Sequence, residues 1–87
     1  MATVFIPPQL RELTAGTAEV KVDAKSVRQV IAELDQRFPG IAVRLQDEDR
    51  LQPGLAVSIN GVIQSQGLFA QVGPESEVHF LPAFGGG

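Results

Sequence analysis

The sequence closes on Leu81-Pro82-Ala83-Phe84-Gly85-Gly86-Gly87, and the chemistry on offer there belongs to the main chain rather than to any side chain. With glycine at about 7% of positions, three in a row have a chance of roughly 0.03%. Gly85, Gly86 and Gly87 make the thinnest peptide available, and three extended residues carry an end group about 10 Å beyond the last anchored one. Such a segment suits a narrow channel. The group it would deliver is the α-carboxylate of Gly87. A terminal carboxyl has an ordinary pKa of about 3.3–3.7, so at neutral pH it is an anion, inert to nucleophiles until converted to a mixed anhydride. Activation must come from an external enzyme that uses ATP.

Side-chain chemistry is thinly supplied. The 87 residues include no cysteine and one histidine. That excludes disulfides, a thiolate nucleophile, a cysteine-type zinc site and an imidazole–thiol dyad. His79 stands alone on a strand face with no oriented nucleophile beside it, and reads as a surface residue. Asp47, Glu48 and Asp49 are adjacent carboxylates, but they lack the turn glycine and terminal glutamate of a calcium loop. Arg11 and Glu12 form either a local ion pair or a contact with a partner, and an exposed pair contributes only ~0–1 kcal/mol. The expectation is a protein that is not an enzyme and holds no cofactor or metal of its own.

The charge balance narrows the partners. Ten Asp+Glu against seven Lys+Arg give a formal charge of -3. The basic residues Arg11, Lys21, Lys25, Arg28, Arg37, Arg44 and Arg50 are scattered, whereas nucleic acid requires them clustered. Anionic membrane surfaces are disfavoured for the same reason. No apolar run approaches the ~20 residues that span a bilayer, and no basic segment followed by an apolar stretch opens the chain. A cytoplasmic protein, monomeric when free, is expected.

The rest of the chain must position the terminus. A hydrophobic fraction of 44% with 20% charged residues is the composition of a folded domain, and 87 residues suffice for one small core. Thr3 to Ile6 reads as a strand stopped by Pro7-Pro8. After a turn region, Ala18, Val20 and Val22 alternate with Glu19, Lys21 and Asp23, the period-two pattern of a half-buried strand. From Ser26 the period changes. Val27, Val30, Ile31, Leu34 and Phe38 line one face of a helix that Asp23 or Ser26 can cap and that Pro39-Gly40 ends.

Ile41, Val43 and Leu45 suggest a short irregular or helical return, and Gln46 to Arg50 a solvated loop. Leu55, Val57 and Ile59 form a strand that leads through Asn60-Gly61, the favoured tight hairpin turn, into a short return strand at Val62-Ile63. Leu68, Phe69 and Val72 are expected to close the core. After a turn at Gly73-Pro74-Glu75, the last strand runs from Glu77 to Leu81.

One strongly amphipathic helix among strands with single apolar faces buries everything only by lying across one side of one sheet. It also supplies the crossover that sets a late strand parallel to the first. The fold expected is α+β, a β-grasp: one mixed sheet with one main helix packed across one face, residues 1–84 forming the domain and 85–87 a flexible glycine tail. By alternation Val4, Ile6, Val78 and Phe80 face the helix. Phe5 and Leu81 are left on the opposite face, where Ile63 can join them.

The carboxyl-terminal run, the preceding Glu77-Val78-His79-Phe80, the early Leu10-Arg11-Glu12-Leu13-Thr14-Ala15-Gly16 and the hairpin Ser58-Ile59-Asn60-Gly61 together resemble the ubiquitin-like sulfur carriers of the MoaD/ThiS family. The resemblance covers essentially the whole chain, and its most specific element is the proline-containing strand end followed by terminal Gly-Gly. Gly85 departs from the small non-glycine residue common at that place, and Gly73-Pro74-Glu75-Ser76 from the usual Gly-Asp-Glu turn. Neither changes the tail length measured back from Gly87.

The resemblance implies an adenylating partner of the ubiquitin-activating type that transfers AMP from ATP to Gly87. A sulfur donor then displaces AMP to leave a thiocarboxylate. Gly85 and Gly86 would thread into the partner, and a synthase subunit would accept the sulfur in molybdopterin, cysteine or thiamine biosynthesis. It also places partner contacts at Phe5, Ile63 and Leu81. Phe84 either packs back on the domain or anchors in the partner. The same tail would serve a ubiquitin-like modifier that forms isopeptide bonds through Gly87, whereas in a purely structural interaction domain it would be idle.

Overall fold

The computed structural model describes residues 1–82; the expectations placed on Phe84, Gly85, Gly86 and Gly87 lie outside them. Strands β1 (Ala2–Phe5), β2 (Glu19–Val22), β5 (Leu55–Ile59), β6 (Val62–Ile63) and β7 (Glu77–Pro82) form one sheet in the order β2-β1-β7-β5-β6. β1 and β7 are parallel and the other pairs antiparallel. Helix α1 (Val27–Arg37) buries Val27, Val30, Ile31 and Leu34 in the core that Val4, Val20, Val22, Val57, Val78 and Phe80 supply from the sheet. This is the expected mixed sheet with one main helix across one face.

Local chemistry accounts for the boundaries. Of the two candidate caps, Ser26 does the work: its Oγ accepts a hydrogen bond from the Gln29 amide at 3.2 Å, while Gln29 Oε1 accepts from the Lys25 amide at 2.8 Å. One orphan donor of the helix, the Gln29 amide, and the Lys25 amide just before the cap are thereby satisfied in a variant of the capping box. At the other end Gly40 takes a φ of +101°, and Asp35 Oδ1 accepts from the amides of Gly40 and Ala42, turning the chain into helix α2 (Ala42–Leu45). The helical option for Ile41–Leu45 is the one realised, with Ile41 and Leu45 buried and Val43 exposed.

Two expectations are corrected. Gln46 to Arg50 is not simply a solvated loop: β3 (Gln46–Asp47) and β4 (Arg50–Leu51) pair as a minimal antiparallel hairpin, with Glu48 at a φ of +56° in its turn. Gln52 ties it down by donating from Nε2 to the carbonyls of Val43 and Gln46. Phe69 does not close the core. Leu68 and Val72 are buried, but the one-turn 3-10 segment Gly67–Phe69 sends adjacent side chains in divergent directions and leaves Phe69 63% exposed.

Two details fix β7, the strand that leads toward the terminus. Asn60 and Gly61 adopt φ values of +53° and +85°, the pair of positive angles that a two-residue hairpin turn requires. From that turn Asn60 Oδ1 accepts from the Glu77 amide at 2.9 Å, and the Asn60 amide donates to the Glu77 carbonyl at 2.9 Å. In the 3-10 segment Pro8–Thr14, Arg11 Nε donates to the Ile6 carbonyl at 3.1 Å, and the buried Thr14 hydroxyl lies 2.8 Å from the Thr17 carbonyl.

Candidate functional site: the open sheet face and the root of the carboxyl-terminal segment

The face of the sheet away from α1 carries the alternate residues of each strand. Register places Phe5 beside His79, His79 beside Ser58 and Ser58 beside Ile63, one row across four strands. The next row toward the strand end holds Leu81 and Ala56. Phe5 and His79 stack with ring centroids 4.1 Å apart and planes 5° from parallel. His79 Nε2 also lies 3.9 Å from a Glu77 carboxylate oxygen. The adjacent Ser58 is only 5% exposed, a polar residue covered on the otherwise open face.

Phe5 and Leu81 come together. With Pro7, Pro8, Arg11 and His79 they line a groove of about 250 Å³ where β1 and β7 both end. Ile63 shares the row with Phe5 but stands three strand spacings away, about 14 Å, on the two-residue edge strand, where it is 59% exposed. The expected docking residues thus divide into a pair at the root of the carboxyl-terminal segment and an outlier at the far edge.

His79, expected as a surface residue, and Arg11, expected in a local ion pair or a partner contact, are the groove residues that the sequence does not place together. His79 has the same parity as Leu81 and Phe5, a signal present in the alternation. Arg11 reaches the groove only because the Pro8–Thr14 segment folds back on the end of β1, which no periodicity reports. The local Arg11–Glu12 pair does not form: among the described residues the ion pairs are Arg28–Asp49 at 3.4 Å and Asp47–Arg50 at 3.6 Å, beside the His79–Glu77 contact. The first two sit at a wider depression of about 510 Å³ formed by Asp47, Glu48, Asp49 and Arg50. They are exposed and contribute ~0–1 kcal/mol each. Among the described residues no group of His, Asp or Glu is arranged to hold a metal ion, and no helix is long and apolar enough to cross a membrane.

A five-stranded mixed sheet wrapped on one helix, with its parallel central pair delivering β7 toward a glycine-rich end, defines a ubiquitin-like β-grasp protein. The ThiS family model matches residues 4–87, and the chain belongs to that family. It is 33% identical to the sulfur carrier protein CysO of Mycobacterium tuberculosis over 98% of this chain and 97% of the relative. The crystal structure of the Mycobacterium tuberculosis CysO superposes with a TM-score of 0.86 at 30% identity, covering 95% of this chain and 99% of that one. A chain of the Amycolatopsis orientalis BexX/CysO complex gives a TM-score of 0.90 at 34% identity, with 100% of both chains covered. The solution structure of small archaeal modifier protein 1 from Methanosarcina acetivorans gives 0.76 at 26% identity, over 99% of this chain and 95% of that one.

Proposed function

We propose that the protein is a cytoplasmic sulfur carrier whose reactive atom is the carboxyl carbon of Gly87. The observation that carries this reading is the end-to-end likeness to CysO sulfur carriers, within a ThiS family match that runs to Gly87 itself. An adenylating partner joins the Gly87 carboxylate to the α-phosphorus of ATP and releases pyrophosphate. A sulfur donor attacks the resulting acyl phosphate carbon, the carbon–oxygen bond to AMP breaks, and a thiocarboxylate remains. The partner supplies the catalysis and this chain supplies the acyl group, which agrees with its scarcity of nucleophiles and bases. A sulfur-accepting synthase subunit then takes the sulfur, and the likeness to CysO favours the cysteine-biosynthesis branch over the molybdopterin and thiamine ones.

The open sheet face is the docking surface in this reading. Ordering Gly85, Gly86 and Gly87 in a channel costs on the order of 1–2 kcal/mol of backbone entropy per residue, which contacts at Phe5 and Leu81 offset. Phe84 is the natural third anchor, two residues beyond Pro82. Intact mass spectrometry of the protein from its own cells tests the reading: replacement of one terminal oxygen by sulfur is the expected increase. The likeness to an archaeal modifier protein favours, as a second reading, isopeptide bonding of Gly87 to lysines. Higher-mass conjugates on other proteins in the same extracts, without the thiocarboxylate, would select it.

A further inference from the structure

The groove at the end of β1 and β7 has a composition that the docking of a generic apolar surface does not use. Its walls are apolar and stiff: Phe5 and Leu81 on the sheet side, Pro7 and Pro8 on the other, with Pro7 at φ -59° and ψ 146°. Proline rings fix φ, so this wall is largely formed before anything binds. Arg11 and His79 also line it, and none of the residues lining the groove is acidic.

Arg11 is held in place without being consumed. Its Nε donates to the Ile6 carbonyl at 3.1 Å, which fixes the plane of the guanidinium. Its two terminal nitrogens have no carboxylate within ion-pair distance among the described residues. A half-buried guanidinium with one nitrogen pinned and the other two presented as a fork matches the two oxygens of a carboxylate. In a chain of net charge -3, a cationic spot walled by apolar side chains is a local inversion of the surface.

We propose that this groove binds a segment of a partner protein in which an Asp or Glu is flanked by apolar residues, the carboxylate bridging the Arg11 terminal nitrogens and the apolar neighbours packing on Phe5, Pro7 and Leu81. A phosphate or free metabolite anion would use the guanidinium but leave those walls unfilled, whereas a peptide uses both. The groove reaches Leu81, one residue before the end of β7, so a segment seated there grips the last described stretch of the chain. Assigning that segment to the adenylating enzyme rests on the function proposed above; the binding chemistry of the groove does not.

The test is a nuclear magnetic resonance titration of the full-length, isotope-labelled protein with acetyl-Leu-Asp-Leu-amide and, separately, acetyl-Leu-Asn-Leu-amide. The aspartyl peptide is expected to produce saturable shifts at Phe5, Arg11, His79 and Leu81. The asparaginyl peptide, and the aspartyl peptide on Arg11→Gln, should bind roughly tenfold more weakly or worse. Arg11→Gln also gives up the bond to Ile6; if it does not fold, the comparison of the two peptides on the unaltered protein decides alone. Equal affinities, shifts centred elsewhere, no saturable shift, or broadening of the same resonances by unlabelled protein without peptide would overturn the proposal. The titration involves neither ATP nor Gly87, so failure of the carrier reading leaves a positive result standing, and a negative result leaves the carrier reading untouched.

Discussion

Phe5 and His79, opposite each other on adjacent parallel strands, stack their rings 4.1 Å apart and within 5° of parallel on the open sheet face. In a parallel pair the strands are also slightly less stable per residue, so the stack reinforces the seam between β1 and β7. A double-mutant cycle of Phe5→Ala and His79→Ala, followed by urea denaturation, should show a coupling of about 0.5–1.5 kcal/mol. Additive effects would mean that the rings are neighbours without attraction.

The helix cap offers a sharper contrast, because two residues could supply it on sequence and one does. Ser26→Ala removes the acceptor of the Gln29 amide and should lower unfolding free energy by about 1 kcal/mol. Asp23→Ala, with no bond to that turn, should stay within about 0.5 kcal/mol of the parent. Reversal of the order would show that the cap is made elsewhere.

Leu34 and Phe69 both look like core residues to a reader of hydrophobicity. Leu34 is fully buried on α1, and truncation to alanine should cost about 2–5 kcal/mol, a large part of the roughly 4–13 kcal/mol expected for a domain of this size. Phe69→Ala should cost less than about 0.5 kcal/mol, since its ring faces solvent. Thermal and denaturant midpoints for the two variants read the difference directly.

The hairpin residue Asn60 combines a backbone role with a side-chain role, and two substitutions separate them. Asn60→Ala loses the bond to the Glu77 amide and places a Cβ-bearing residue without a local acceptor at a φ of +53°. The expected loss is about 1–3 kcal/mol. Asn60→Gly loses only the bond, and should be the milder variant in the same denaturant series. Equal losses would locate the whole effect in the hydrogen bond.

How much of this was legible in the sequence depends on the range of the interactions concerned. Helix α1 and the Asn60-Gly61 hairpin rest on neighbours a few residues apart, and their periodicities announce them. The sheet order follows from the single helix that has to be covered and the crossover it provides. The exposure of Phe69 is not legible because a short 3-10 turn has no sustained period. The β3–β4 hairpin is not legible either, because two paired residues among charged neighbours carry no alternation. The groove was half legible: the parity of Phe5 and Leu81 is local, while Arg11 arrives there through a fold-back that only tertiary structure records.

The carrier reading makes its strongest demand on the terminal residues. Every buried core side chain among the described residues precedes residue 81. Deleting Gly86 and Gly87 leaves every one of those side chains in the chain and should shift unfolding free energy by less than about 0.5 kcal/mol. The same deletion removes the carboxylate that is to be adenylated, and mass spectrometry should find no sulfur-bearing form of the shortened chain. A thiocarboxylate persisting on the new end, Gly85, would show that length is not read by the partner. A large fall in the melting temperature would tie the terminal glycines to the fold, and the separation of scaffold from reactive end would be lost.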